Sequence, residues 1–364
     1  MSKDADTGQR TFHTLALWRD GLLIVILSVL ALYAGAGFLV PLTLAILVFL
    51  LISAVSDRVR EIWRLSLPMP VPMPVWLANL TGVLVVLSGV GALVYVLASQ
   101  ATQFVQTMPD YESEMDSAIA RVATLMGNSA AHALKDMIID IDISVLAMTA
   151  FGGARSFLST FLLICLYVAF MMAERGTIAR KVQITAGHHR IGRDLPGVMQ
   201  EISLSLRRYI SVKTFISALT AVFSYAVFRY LELEFAETWA VLTFALNFIP
   251  SIGSVVAVLF PAAASLVQFE NVTPFLIILF GCGSLQFAIG NFLDPALLGR
   301  SLNLSTLMVI LALTFWSGVW GITGAFLSVP LTVCLLIVLS HVPAMRPLAI
   351  LMSQDGTLED EPNR

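Results

Sequence analysis

The chain has 364 residues, of which 58% are hydrophobic and only 12% are charged, and its formal net charge is −3. A chain this apolar cannot keep a water-facing surface, so a soluble fold is excluded, and nothing in the charge favours nucleic-acid binding. Cys165, Cys282 and Cys334 lie inside apolar runs and lack the spacing of a disulfide framework or a zinc site. The sequence predicts an all-α polytopic membrane protein without a cofactor or a metal.

Uncharged runs mark the membrane segments in chain order. Intervals 156–173 and 271–293 each fit one spanning helix of about 20 residues. The interval between Lys213 and Arg229 is short, so we expect both cations to snorkel to the interfaces. Three longer runs contain helix breakers and form either hairpins or spans with broken centres: 21–56, 238–269 and 301–345. About eight membrane-embedded helical elements follow.

Loop charge predicts the orientation. Segments 57–64 and 174–213 are rich in arginine and lysine, which places them in the cytoplasm, whereas the acidic segment 100–150 lies outside. Both termini are therefore cytoplasmic. The predicted order is an N-terminal tail (1–20), N-terminal membrane helices (21–98) with a Pro-rich connection (68–74), an extracytoplasmic amphipathic helical segment (99–154), a membrane helix (155–173), a basic cytoplasmic helical segment (174–213), a C-terminal membrane region (214–345) and a cytoplasmic tail (346–364).

The basic segment contains an apolar stripe at helical spacing. It consists of Ile191, Leu195, Val198, Ile202 and Leu206, with cations beside it. This pattern predicts a helix that lies along an anionic cytoplasmic leaflet.

The stretch LNFIPSIGS at 246–254 is the first candidate site. Pro250 removes a backbone donor, Gly253 admits a non-helical turn, and Asn247 offers both a donor and an acceptor. We expect these residues, with Ser251, to present amides and carbonyls to a polar solute or a cation. The alternative is a kink with a packing glycine and a polar link between helices.

The second candidate site extends from Gln286 through Asn291 and Asp294 to Arg300. Asp294 ends the apolar run and is its nearest carboxylate. An acid at membrane depth is costly and is retained for ion coupling or for pairing. The alternatives are a cap on the next helix, with Pro295 at its first position, or an Asp294–Arg300 ion pair.

The third candidate is WSGVWGITG at 316–324, followed by Pro330. Gly321 and Gly324 lie midway along a run long enough to cross twice, which predicts a hairpin tip with exposed amides. The alternative is glycine-mediated helix packing with tryptophans at an interface. This run shares with 238–269 the order helix, glycine-containing break, helix and proline, which hints at an inverted internal repeat.

No Walker A loop, G-x-S-x-G, H-E-x-x-H or paired intramembrane aspartates occur in the sequence. An enzyme is therefore not predicted. Any transport would be driven by a gradient, because the sequence has no nucleotide-binding signature.

Two blocks resemble the autoinducer-2 exporter-like (AI-2E) family. LTFALNFIPSIGSVVAVLFP is similar to its N-F-I-P-x-I-G segment, and GNFLDPALLGRSLNLSTLMVILALTFWSGVWGITGAFLSVPLTV to its N-x-x-x-P-x-x-x-G-R…W-G-x-x-G…V-P-L block. The resemblance covers about 15–353. The chain departs from the family at Ser305-Thr306, where many members have a proline after the serine, and at Asp294, where glutamate is commoner.

The resemblance implies a multi-pass bacterial inner-membrane transporter. Members export a furanosyl signal or exchange sodium (or lithium) for protons, so the implied partners are lipid, a small polar solute and Na+/H+, with elevator-like movement and homo-oligomeric assembly. Three hypotheses follow: an exporter of a small polar metabolite or signal, a cation/proton antiporter with Asp294 as the coupling carboxylate, and a non-transporting scaffold. The candidate solute- or ion-binding residues are Asn247, Pro250, Ser251, Gly253, Gln286, Asn291, Asp294, Pro295, Arg300, Gly321, Gly324 and Pro330.

Overall fold

The computed structural model describes residues 3–66, 73–93, 95, 96, 99, 143–188, 195–298 and 303–357. Over these residues the chain is helical and contains no strand, which confirms the predicted fold class. Most of the predicted Pro-rich connection, most of the extracytoplasmic segment and Arg300 lie outside the described residues.

Ten helices follow one another in the described parts of the chain. They are α1 (Lys3–Ala34), α2 (Ala36–Ser66), α3 (Val75–Leu93), α4 (Ile143–His188), α5 (Leu195–Tyr230), α6 (Ala236–Leu246), α7 (Ile252–Gln268), α8 (Thr273–Leu298), α9 (Thr306–Ser340) and α10 (Arg346–Met352). Six of them are long and apolar enough to span a membrane, and α6 and α7 are shorter apolar helices. Together these eight match the predicted number of embedded elements.

The N-terminal run 21–56 is divided at Gly35, the single residue between α1 and α2. Gly35 N donates to Ala31 O at 2.8 Å, and Leu39 N donates to Gly35 O at 2.9 Å, so each helix keeps its own hydrogen bonding up to this residue. Further along, α2 packs against α3 and α4 through a small buried apolar cluster of Ala45, Ile52, Val86 and Val168.

Helices α6 and α7, with the connecting residues 247–251, form a helical hairpin, called hairpin 1 here. The side chain of Gln268, at the end of α7, accepts from Glu234 N at 2.8 Å and donates to Glu232 O at 2.8 Å. These contacts bring the end of α7 beside the start of α6. With 11 and 17 residues, the helices are about 16 and 25 Å long, too short to cross a hydrocarbon core of about 30 Å. Hairpin 1 therefore enters the membrane and returns to the same side.

Helix α9 also folds back on itself, as hairpin 2. Trp320 (φ −126°, ψ 16°) and Gly321 (φ 61°, ψ −141°) leave the helical conformation. Trp316 Nε1 donates to Thr332 Oγ1 at 3.2 Å, although a straight helix would separate these residues by about 24 Å. At the base, Ser305 N donates to Met352 O at 3.0 Å, which joins the start of α9 to α10. The hairpin interpretation thus holds for both C-terminal runs.

The two hairpins enter from opposite ends of α5. Tyr225, near the end of α5, donates to the Glu237 carboxylate at 3.0 Å, at the base of hairpin 1. Glu201, near the start of α5, lies 3.6 Å from His341 Nε2 at the base of hairpin 2. This opposed arrangement agrees with the inverted repeat at which the sequence hinted.

The tips of the hairpins meet between these ends. Phe248 of hairpin 1 stacks on Phe326 of hairpin 2 with ring centroids 4.8 Å apart and planes inclined by 27°. Since each tip approaches from its own side, the stacked pair lies where the two inverted elements face each other.

Two sequence interpretations need correction at α5. From Leu195 on, the stripe predicted to lie on a leaflet is part of the spanning helix, and Val198, Ile202 and Leu206 pack against hairpin 2; Ile191 lies outside the described residues. Lys213 does not snorkel to an interface, because it lies within this helix and is only 8% exposed. The apolar residues of the stripe recur at helical spacing as predicted, but they pack against another part of the chain instead of a lipid leaflet.

Candidate functional site

A cavity of about 580 Å³ lies beside the tip of hairpin 1; we call it the tip cavity. Its walls come from the tip and α7, from α5, and from one face of α8. Six of the predicted site residues line it: Asn247, Pro250, Ser251, Gln286, Asn291 and Asp294. The first two candidate stretches, some 40 residues apart in sequence, therefore form one site.

The tip of hairpin 1 has a backbone that only a particular sequence can adopt. Ser251 has a positive φ, which residues other than glycine rarely adopt (φ 59°, ψ −54°), and a Cβ added at Gly253 would stand 1.8 Å from Leu246 O. Glycine is therefore required where α7 begins to pack on the end of α6. Asn247 is buried and donates to Ser217 Oγ of α5 at 3.1 Å, which fixes the tip against that helix.

Helix α8 presents the polar face of the cavity. It contains two π-helical segments, Ile277–Cys282 and Ile289–Leu293, on either side of the α-helical turn that carries Gln286. Such wide turns are uncommon and concentrate at functional sites. Gly283 and Gly290 lie on the same face as Gln286 and Asp294 and, lacking side chains, leave the cavity open.

Asp294 and Lys213 form an ion pair in the wall of the tip cavity. Lys213 Nζ lies 2.8 Å from Asp294 Oδ2, and the two side chains are 10% and 20% exposed. The second carboxylate oxygen, Oδ1, is buried and has no hydrogen-bond partner among the described residues. The pair explains how an acid is tolerated at this depth.

Gln286 is the least satisfied polar side chain of the site. It is 6% exposed, and neither its Nε2 nor its Oε1 has a partner within the described parts of the chain. A buried amide without partners costs free energy, so such groups in native proteins are usually paired with protein, water or a ligand. Gln286 can offer one donor and one acceptor to a solute in the tip cavity.

The remaining predicted residues fall elsewhere. Gly253 supports the tip without lining the cavity, and Pro295 follows Asp294 on an exposed part of α8. Arg300 lies outside the described residues, so the Asp294–Arg300 pair stays untested, whereas Asp294 does bind Lys213. The last three residues, Gly321, Gly324 and Pro330, belong to hairpin 2 and do not line the tip cavity.

Lys213 is the charged residue of the tip cavity that the sequence interpretation missed. The available signal is a lysine at the edge of the uncharged run 214–228, but the residue also falls at the end of the predicted basic segment 174–213. Its partner is 81 positions away, and no local pattern reveals that contact.

A second cavity, of about 620 Å³, lies among α2, α3, α4 and hairpin 2. Its walls are apolar except for Thr160, Cys165 and Thr323. Without a charged or amide side chain it offers a polar solute few hydrogen bonds, so the tip cavity is the better candidate site.

Comparison with known sequences identifies the protein family. The sequence model of the AI-2E family transporters matches residues 22–344. The chain belongs to the AI-2E transporter family. It is 29% identical over 339 residues to the AI-2 transport protein TqsA of Escherichia coli K12, an alignment covering 92% of this chain and 94% of TqsA.

Two further relatives are also similar to this chain over most of their length. A Haemophilus influenzae protein is 28% identical over 355 residues (93% of this chain, 96% of that protein), and YhhT of Escherichia coli K12 is 26% identical over 321 residues (85% and 86%). The names of both assign them provisionally to transport. With the six apolar helices, the family membership identifies a multi-pass bacterial membrane transporter, and no catalytic family matches.

Proposed function

We propose that this chain is a gradient-driven secondary transporter of the bacterial inner membrane that exports a small polar metabolite or signal through the tip cavity. The observation that carries the proposal is the cavity itself: an ion pair and an amide side chain without a partner among the described residues line a space of about 580 Å³. This volume suits a small metabolite. Both termini lie in the cytoplasm in this proposal.

The opposed hairpins supply a physical route for alternating access. Hairpin 1 closes the site from the end of α5 that carries Tyr225, and hairpin 2 enters from the end that carries Glu201. In transporters built from inverted repeats, movement of one repeat against the other exposes a midplane site to each side in turn. The proposed cargo is polar because the tip cavity offers amide, hydroxyl and charged groups. A signal such as that in the name of TqsA is one candidate.

A second candidate function is exchange of sodium (or lithium) for protons. Asp294 favours it, because a buried carboxylate with one oxygen that no described residue satisfies can bind either a proton or an alkali cation. In this case Asp294 is the coupling residue and the other groups of the tip cavity complete the coordination.

Reconstitution into liposomes that contain a pH-sensitive dye separates the candidates. Sodium-driven proton movement without any solute favours the antiporter. Solute movement that requires a proton gradient favours the exporter, and a panel of candidate solutes, with and without that gradient, identifies the cargo class. If the purified chain moves neither solute nor ions, the scaffold hypothesis replaces both. We also expect the chain to work as a homo-oligomer, which cross-linking in the membrane tests.

A further inference from the structure

The position of Lys213 is not explained by packing alone. It lies near the middle of α5 (Leu195–Tyr230), and an ammonium at that depth is costly without a partner. Helices α5 and α8 already pack through buried apolar side chains, among them Phe228 on α5 and Ile278 and Cys282 on α8. The ion pair is therefore not needed to join the two helices.

The pair is also incompletely satisfied. Structural ion pairs in a low-dielectric interior are stable when further hydrogen bonds satisfy the remaining lone pairs. Here Asp294 Oδ1 and both amide atoms of Gln286 have no partner in the part of the chain that the structure describes, and both residues line the tip cavity. Asp294 thus lines a space that a ligand can enter, with one carboxylate oxygen holding the ammonium and the other buried without a partner among the described residues.

We propose that the Lys213 ammonium is a tethered competitor for the cation that binds at Asp294. The inference rests on the proposed coupling role of Asp294 and adds the residue that sets its affinity. An alkali cation and the ammonium carry the same charge and need the same carboxylate, so the cation binds tightly only when Lys213 has moved away into the cavity. Lys213 thereby keeps the site weak for sodium.

Competition of this kind has a predictable size. The apparent dissociation constant is the intrinsic one divided by the fraction of molecules in which the carboxylate is unpaired. If the ion pair is formed in roughly 90 to 99% of molecules, sodium binding is weakened about 10- to 100-fold. Replacing Lys213 by a neutral residue should therefore strengthen sodium binding by the same factor.

The test measures equilibrium binding of radioactive sodium to the purified full-length chain in detergent, with choline replacing sodium at constant ionic strength. We expect Lys213→Gln, whose amide still donates to Asp294, to bind sodium about tenfold or more tightly than the unmodified chain. The double variant Lys213→Gln/Asp294→Asn should bind none. The matched control is Asp57→Asn, which breaks the Arg207–Asp57 pair elsewhere on α5, outside the cavity, and should leave sodium binding unchanged.

Lys213→Arg tests the proposal with a variant that keeps the positive charge beside Asp294. Its planar fork can bind both carboxylate oxygens, so sodium binding should become weaker than in the unmodified chain. The proposal is overturned if Lys213→Gln binds sodium no more tightly than the unmodified chain, or if Asp57→Asn tightens binding equally. If Lys213→Gln fails to fold, tighter binding by Lys213→Arg overturns it.

The result is separable from the proposed function, because binding is measured without transport. Tighter sodium binding by Lys213→Gln in a chain that moves no solute in liposomes supports this inference and refutes solute export. Unchanged binding in a chain that does transport refutes this inference and leaves the proposed function standing.

Discussion

Hairpins 1 and 2 share a backbone plan but differ in what their tips contain. Each has a glycine just past the break at which a Cβ would stand 1.8 Å from a carbonyl oxygen of the first arm: Gly253 against Leu246 O, and Gly324 against Trp316 O. Each also has a buried proline in its second arm, Pro261 or Pro330. The close approach of the two arms is thus a common requirement of both folds.

The side chains diverge where the backbones agree. Hairpin 1 contributes Asn247, Pro250 and Ser251 to a polar cavity. In hairpin 2 the indole of Trp320 donates to Leu32 O at 2.9 Å, and the second arm belongs to the largest buried apolar cluster. The comparison shows that hairpin 1 contributes polar groups to the candidate site, whereas hairpin 2 attaches to the N-terminal helices and α5.

The largest expected effect tests the shared backbone. Gly253→Ala and Gly324→Ala each place a methyl group against a backbone carbonyl that cannot move away cheaply, so each should lower the free energy of unfolding by more than about 3 kcal/mol. Thermal unfolding followed by size-exclusion chromatography in detergent measures it. Gly318→Ala, where no atom lies within 4 Å, is the control and should be close to neutral. If Gly253→Ala or Gly324→Ala melts at the same temperature as the unmodified chain, the close approach of the two arms is not a requirement of that hairpin.

The second prediction separates the hairpins by function. Asp294→Asn should reduce ion-driven transport by roughly 100-fold or more, equivalent to about 2.7 kcal/mol, because an amide cannot exchange a proton or a cation. The fold should persist, since the amide oxygen can still accept from Lys213. Ion-driven uptake or efflux in liposomes measures the loss of transport, and the melting temperature shows whether the fold persists. Undiminished sodium/proton exchange would exclude Asp294 as the coupling residue.

Much of this architecture was predictable from the sequence, since uncharged runs locate the membrane elements and Gly and Pro locate their breaks. Whether a broken run reverses was not predictable. That depends on contacts such as Gln268 with Glu232, 36 positions apart, for which the sequence carries no local signal. The same limit applies to the site. Gln286 and Asp294 were identified as polar residues in an apolar run, but pairing with Lys213 required the fold.

The third prediction concerns Gln286, which no described residue satisfies. Gln286→Leu removes an unpartnered buried amide while nearly keeping its volume, so it should raise the free energy of unfolding by about 1 kcal/mol. Solute affinity should fall by about tenfold, because a donor and an acceptor are lost. Melting temperature and the concentration dependence of transport give the two quantities. A loss of stability would show that the amide has a structural partner.

The smallest effect belongs to hairpin 2, where polar contacts hold the arms together. Thr332 Oγ1 accepts from Trp316 Nε1 and donates to Ser328 O at 2.7 Å, and Thr332 does not line the tip cavity. Thr332→Val keeps the shape and removes both bonds. Hydrogen bonds between membrane helices contribute only about 0.6 kcal/mol on average, so the loss of stability should be near 1 kcal/mol.

Because Thr332 does not line the tip cavity, its replacement should leave the solute concentration for half-maximal transport unchanged, in contrast to Gln286→Leu. Melting curves and transport assays on the two variants in parallel make the comparison quantitative. A changed solute affinity in Thr332→Val, at equal stability, would mean that hairpin 2 takes part in binding. The division of labour between the hairpins would then have to be abandoned in favour of a site shared across the Phe248–Phe326 contact.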